Sequence, residues 1–247
     1  MPCRTMADMQ AQLATGQEMP ILYWNFRRPL LGISSGTLGG GLGERHWALN
    51  ASVPMSYDRD DPGTHLAELG AALGLAGPGT GLMTGVDVRD AVTAEDGGVS
   101  VSATVGLGSP AWAAAPDGHL RRLRPRTGED VQPGVPVLGN NVGDPGGAYR
   151  PGTVNLVGFL PVRLGDAALV NAVATVAEAK AQAMWELGIE ATGTASDAVA
   201  LFCPLDGPAE PYGGPRSAWG ARLARAVHAA IMAAGKDWLA NPRAWQP

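Results

Sequence analysis

The chain has 247 residues, enough for one large domain or two small ones, with 45% hydrophobic and 17% charged residues. A net charge of −5 and a pI near 5.3 argue against a non-specific nucleic-acid binder, and no run of about 18 apolar residues exists to span a membrane. Cys3 and Cys203 make neither a disulfide framework nor a metal cluster. The opening MPCRTMADMQAQLATG lacks the apolar core of a signal peptide, so a reducing, cytoplasmic setting is expected.

Residues 1–19 read as frayed, or as a short helix over Met6–Ala14. Ile21–Phe26 and Leu30–Ile33 are strand candidates, with Pro29 marking a turn or edge between them. The loop SSGTLGGGLG, residues 34–43, follows. Its glycines let backbone N–H groups converge on an anion or approach a ligand closely, but it completes no nucleotide fingerprint; a bend in a sheet is the plain alternative. Trp47–Met55 reads as a third strand centred on Asn50. Thr64 or Asp61 then caps a helix over His65–Leu73, ended by Gly74. Met83–Val92 and Val99–Leu107 both alternate about Glu95-Asp96-Gly97-Gly98, the pattern of a hairpin. Val99, Val101, Ala103 and Val105 fall on one face; Ser100, Ser102 and Thr104 fall on the other.

Residues 108–152 carry little periodicity, and the cluster Arg121, Arg122, Arg124 and Arg126 suits either an anion or plain solvent. Thr153–Arg163 is another strand with Asn155 set in an apolar run, where a polar side chain must find partners. An Ala-rich helix starts at Asp166 as N-cap, carries apolar positions at helical spacing at Leu169, Val173, Val176, Lys180 by its stem, Met184 and Leu187, and ends at Gly188. A second line on it, Asn171, Thr175, Glu178 and Gln182, is polar. The turn Thr192, Gly193, Thr194, Ser196, Asp197 leads into a buried strand, Ala198–Cys203. Its hydroxyls either floor a polar site or satisfy local backbone groups. Ser217–Gly235 is a last Ala-rich helix, with His228 packed on it. The order β-β-β-α-β-β-β-α-β-α predicts one α+β layered domain over residues 1–247, a mostly antiparallel or mixed sheet packed with Ala-rich helices.

Four segments in this order resemble the adenosylcobinamide amidohydrolases of corrinoid salvage. They are Leu31–Gly41 (LGISSGTLGGG) with Asn50 after it, Gly81–Gly85 (GLMTG), Pro151–Leu156 (PGTVNL) and Ala177–Asp197, where AEAKAQAM leads into ATGTASD. Two departures stand out: Ala195 replaces a hydroxyl residue and Ser196 takes a Thr place, and the segment 109–150 is longer than usual. The resemblance implies hydrolysis of the amide between the aminopropanol arm and the corrin ring's propionate. It implies a small-molecule corrinoid as the partner, no nucleic acid or membrane, and a cytosolic setting. No metal or other cofactor is expected beyond the cobalt that belongs to the substrate; the oligomeric state stays open.

Such hydrolysis needs a nucleophile, a base, an oxyanion stabiliser and an acid for the leaving amine. Glu178 and Asp197 are the carboxylates best placed to act as base, activating water or the hydroxyl of Thr192 or Thr194. Lys180 sits roughly 200° round the helix from Glu178, so it anchors the sheet or a substrate carbonyl from another side. Ser34, Ser35 and the N–H groups of Gly39, Gly40 and Gly41 are candidates for the oxyanion hole or for the corrin's peripheral amides. Asn50 and Asn155 would bind the same amides, and His46, near the glycine loop, is a further possible base. Two rival readings are a non-catalytic corrinoid-binding protein and an amidohydrolase for another large amide.

Overall fold

In the computed structural model the described residues are 11–14, 19–116, 122–123, 138–139 and 152–247. In chain order the elements are β1 (Gln12–Ala14), β2 (Ile21–Ser34), β3 (Gly41–Ser52), α1 (Pro62–Ala72), β4 (Gly79–Thr84), β5 (Val92–Asp96), β6 (Val99–Leu107), β7 (Pro110–Ala111), β8 (Arg122–Leu123), β9 (Leu138–Gly139), β10 (Gly152–Phe159), α2 (Asp166–Glu186), β11 (Gly193–Thr194), β12 (Ala198–Pro204) and α3 (Ala218–Ala240). One eight-stranded mixed sheet runs β4-β3-β2-β12-β10-β6-β5, with β1 pairing β2. Two pairs are parallel, β3–β4 and β10–β12, and α1 and α2 are their crossovers. The expected α+β class therefore holds.

The sheet is strongly coiled. Asn50 on β3 and Thr104 on β6 are four strands apart, about 19 Å in a flat sheet at the usual strand spacing. Yet Asn50 Nδ2 donates to Thr104 Oγ1 at 3.0 Å. The sheet has rolled until its β4 edge meets β10, where Asn155 Nδ2 donates to the Met83 carbonyl at 2.8 Å. The inside of the roll is packed by Trp24, Phe26, Phe159 and Phe202, whose ring centroids lie 5.1–5.9 Å apart. The outside carries helices. Val99, Val101, Ala103, Val105 and Leu107 pack under α2 and α3, as their alternation predicts, and Trp47, Leu49 and Ala51 pack against Leu66 and Leu69 of α1.

Helix ends follow local chemistry. Gly188, with φ of 76°, closes α2: its N–H donates to Trp185 O and that of Ile189 to Met184 O, both at 2.9 Å. Ser217 caps α3 by accepting from Gly220 N at 3.0 Å.

Several expectations are corrected. Gln12–Ala14 is a strand, and residues 6–10 of the proposed first helix lie outside the described residues. Pro29 does not divide two strands; β2 runs through it with a register shift between Asn25 and Leu30, the irregularity at which a missing N–H is tolerated. The hairpin partner of β6 is β5, while Met83 and Thr84 end β4. Between β4 and β5 a 3-10 turn forms at Val88–Asp90, because Asp87 accepts from Arg89 N at 3.0 Å and diverts the chain. The last strand before α2 stops at Phe159. Gly165, not Asp166, is the N-cap of α2, and Asp61 at the start of α1 makes no side-chain cap bond. Gly235 does not end α3, since it is buried against Leu187 inside the helix. His119, most of the 108–152 segment and the side chains of its arginine cluster lie outside the described residues.

Candidate active site

In each parallel crossover the helix runs back beside its strands, so the C-terminal half of α2 lies next to the start of β12. That geometry brings Lys180 to Asp197. The Asp197 carboxylate accepts from Val154 N and Thr194 N, both at 2.9 Å, from the Thr194 hydroxyl and from the Lys180 ammonium. These donors use the four or so acceptor sites a carboxylate offers. The Lys180 and Asp197 side chains are 15% and 13% exposed, so the pair is largely desolvated and strongly oriented. Gly193 is required here: a Cβ on it would collide with Asp197 Oδ2 and Lys180 Nζ. Thr194 is half-buried, its hydroxyl directed onto the carboxylate.

The other hydroxyls of the turn have different partners. Thr192 Oγ1 accepts from Ala113 N at 2.9 Å, and Ser196 Oγ lies 2.7 Å from Thr153 Oγ1. Ser196 belongs to the hydroxyl turn marked in the sequence, whereas Thr153, at the start of β10, carries no such signal.

The glycine loop meets this turn from the opposite side. Ser35 N donates to Val199 O at 2.9 Å, and Val199 N donates to Ser35 Oγ at 3.0 Å. Ser35 is exposed, whereas Ser34 is buried and accepts from Gly36 N at 2.9 Å. Leu38 bridges to Gly81 on the outer side of β4, so the loop covers that edge of the rolled sheet. Gly39 has φ of 62°, and a Cβ there would overlap the Gly79 carbonyl. The carbonyls of Gly39 and Gly40 in this loop are held by a buried cation. Arg45, 9% exposed, donates to Gly39 O at 2.8 Å and 3.2 Å, to Gly40 O at 3.4 Å and to Thr80 Oγ1 at 3.1 Å. Burial lowers the Arg45 pKa from its ordinary value. Gly41, at the start of β3, has φ of 79° and open space beside it.

Asn50 and Asn155 are 2% and 1% exposed and form the floor behind the turn. Asn155 Nδ2 donates to Asn50 Oδ1 at 2.9 Å as well as to Met83 O, while Asn155 Oδ1 has no partner. Glu178 is exposed on α2 and makes no bond to the Asp197 cluster. Of its polar line, Thr175 is buried and donates to Gly213 O at 2.8 Å, and Asn171 and Gln182 are exposed. His46 pairs with Glu44 at 3.0 Å on the surface, and His228 pairs with Glu186 at 2.8 Å. Among the described residues no three of His, Cys, Asp and Glu gather as metal ligands. No helix among them is long and apolar enough to cross a membrane.

The site thus joins Lys180, Asp197 and Thr194, with Ser35 bonded to Val199 two residues beyond Asp197 and the buried Asn155 next to Val154 on β10. A family model described as adenosylcobinamide amidohydrolase matches residues 5–242. A protein of that name from Halobacterium salinarum is 33% identical over 75% of this chain and 72% of its own length. Another from Methanosarcina mazei is 24% identical over 81% of this chain and 88% of its own.

Proposed function

The chain belongs to the adenosylcobinamide amidohydrolase family, and from that premise we propose that it hydrolyses the aminopropanol amide of adenosylcobinamide. The products are adenosylcobyric acid and aminopropanol, which returns scavenged cobinamide to coenzyme B12 synthesis. The protein does this in the cytoplasm, and the only metal in the reaction is the substrate's own cobalt.

One observation carries the assignment of chemistry to residues: the Thr194 hydroxyl donates to a carboxylate whose other oxygen holds the Lys180 ammonium. Thr194 Oγ1 attacks the amide carbon while Asp197 Oδ1, already its acceptor, takes the proton. The C–N bond breaks as that proton passes to the aminopropanol nitrogen. Water then attacks the Thr194 ester with Asp197 again as base, which frees the carboxylic acid and restores the hydroxyl. Lys180 and Val154 N–H hold the carboxylate in register for both proton transfers. Exposed Ser35, at the junction of loop and turn, addresses the substrate's amides.

Incubation with adenosylcobinamide followed by mass spectrometry tests the activity. Adenosylcobyric acid and aminopropanol are expected in equal amounts. Binding of the corrinoid without cleavage would leave a carrier in place of an enzyme.

A further inference from the structure

We propose that Trp112 is the platform on which the flat ring system of the substrate rests, and that Thr192 is the positioning residue that seats it; this builds on the corrinoid reading above. The segment carrying Trp112 is tied to the turn that carries Thr194. β7 pairs with β11, Ala111 opposite Gly193 and Pro110 opposite Thr194. Beyond that ladder Thr192 commits every polar group it has on this side. Its N–H donates to Ala111 O at 3.1 Å, its hydroxyl oxygen accepts from Ala113 N at 2.9 Å, and the hydroxyl lies 3.4 Å from Ala111 O. The backbone on both sides of Trp112 is therefore fastened to one threonine. The Trp112 carbonyl also accepts from Ala115 N at 3.1 Å.

The indole that this framework holds is nonetheless 38% exposed. Trp24, Trp47, Trp238 and Trp245 are core residues, and Trp219 lies under the Arg222 guanidinium. Trp185 is more exposed than Trp112, but on α2 it falls about 140° round from Lys180 and so off the face that meets Asp197. Trp112 is thus the exposed indole fastened to the catalytic turn. A fixed backbone and a side chain with only two rotatable bonds lose little entropy on binding. An aromatic face suits a large planar or conjugated ring, and its attraction does not depend on hydrogen-bond pattern. The arrangement would hold the bulky ring to one side while the thin aminopropanol arm reaches Thr194. It also reassigns Thr192 from candidate nucleophile to a strap.

Steady-state kinetics on adenosylcobinamide test this, with the wild type beside Trp112→Ala, Trp112→Phe, Trp112→Leu, Thr192→Val and Thr192→Ser. Loss of a stacking face should raise KM about tenfold or more in Trp112→Ala and Trp112→Leu, with kcat changed by less than about threefold. Trp112→Phe should recover most of the loss. Thr192→Val should move KM the same way, and Thr192→Ser should stay near the wild type. An unchanged KM in Trp112→Leu, in a wild-type background that turns over, overturns the platform. So does a Trp112→Phe variant as weak as Trp112→Leu, a comparison that holds even if the alanine variant fails to fold. A wild type that neither turns over nor binds adenosylcobinamide overturns the underlying corrinoid reading, and the platform with it.

Discussion

Replacing Asp197 by Asn separates chemistry from architecture. The native carboxylate satisfies Val154 N, Thr194 N, the Thr194 hydroxyl and the Lys180 ammonium. An amide offers one oxygen. If its NH2 replaces Oδ1 it faces Val154 N–H and the Thr194 hydroxyl; if it replaces Oδ2 it faces Thr194 N–H and Lys180. With the NH2 at Oδ1 the Thr194 hydroxyl turns to accept from it and Val154 N–H alone loses its acceptor, whereas with the NH2 at Oδ2 two donors do, at about 1–3 kcal/mol each. In both cases Lys180 loses its counter-ion in a largely buried setting. Relaxation and water return part of that, so a net loss of about 3 kcal/mol is expected, or about 6–12 °C in Tm for a chain of this length. The catalytic loss is separate: kcat for aminopropanol release should fall at least about a hundredfold at a temperature where the variant is folded. Thermal melts and single-temperature kinetics on the same preparation read both quantities. A variant with the lowered Tm but wild-type kcat would refute the reasoning, reducing Asp197 to a staple for its turn.

Three further outcomes follow from the geometry. Asn155→Leu removes the donor to Asn50 Oδ1 and Met83 O, and should cost about 2–3 kcal/mol in urea unfolding. Gly39→Ala combines a left-handed φ with overlap on the Gly79 carbonyl, so it should lose more than about 2 kcal/mol, whereas a surface alanine substitution would be near neutral. His65 stacks on Tyr57, its Nδ1 3.1 Å from the hydroxyl, and burial followed by the nearby Arg59 charge lowers its pKa. The unfolded chain then binds the proton first, at about pH 6.5. The stability His65 contributes is full above that pH and is lost as pH falls toward the depressed folded value. His65→Gln should accordingly flatten the acid limb of the stability curve between pH 7 and pH 5.5.

Much of the fold was legible because the patterns were local. The alternation of Val99–Leu107, the Ala-rich α2 and its Gly188 cap are short-range signals, and each element formed. Alternation does not encode partners. Met83 lies in a strand but pairs in parallel with Ala51 through a crossover, a choice made by packing α1 on Trp47 and Leu49. The coiling of the sheet left only a faint trace in the sequence. Asn50, Thr104 and Asn155 are polar residues in apolar strands, and each needed a partner on a strand far away in the chain.

At the site, the hydroxyl turn was visible as a cluster of Thr, Ser and Asp, and Lys180 was readable as pointing away from Glu178. Its engagement with Asp197 depends on the crossover geometry and could not be read from spacing. Val154 contributes through its backbone N–H, which no side-chain pattern reveals. Arg45 sat unnoticed in a strand beside the glycine loop; a cation that close to a run of glycine carbonyls was the available signal.

The central claim is that Thr194, lying on the Asp197 carboxylate, carries the attack on the amide. Single-turnover release of aminopropanol from adenosylcobinamide by Thr194→Ala and Thr194→Ser variants tests it most directly. The account predicts that the serine variant keeps its rate within about tenfold of the wild type and that the alanine variant loses about a thousandfold or more. A folded alanine variant that releases aminopropanol at the wild-type rate would contradict it.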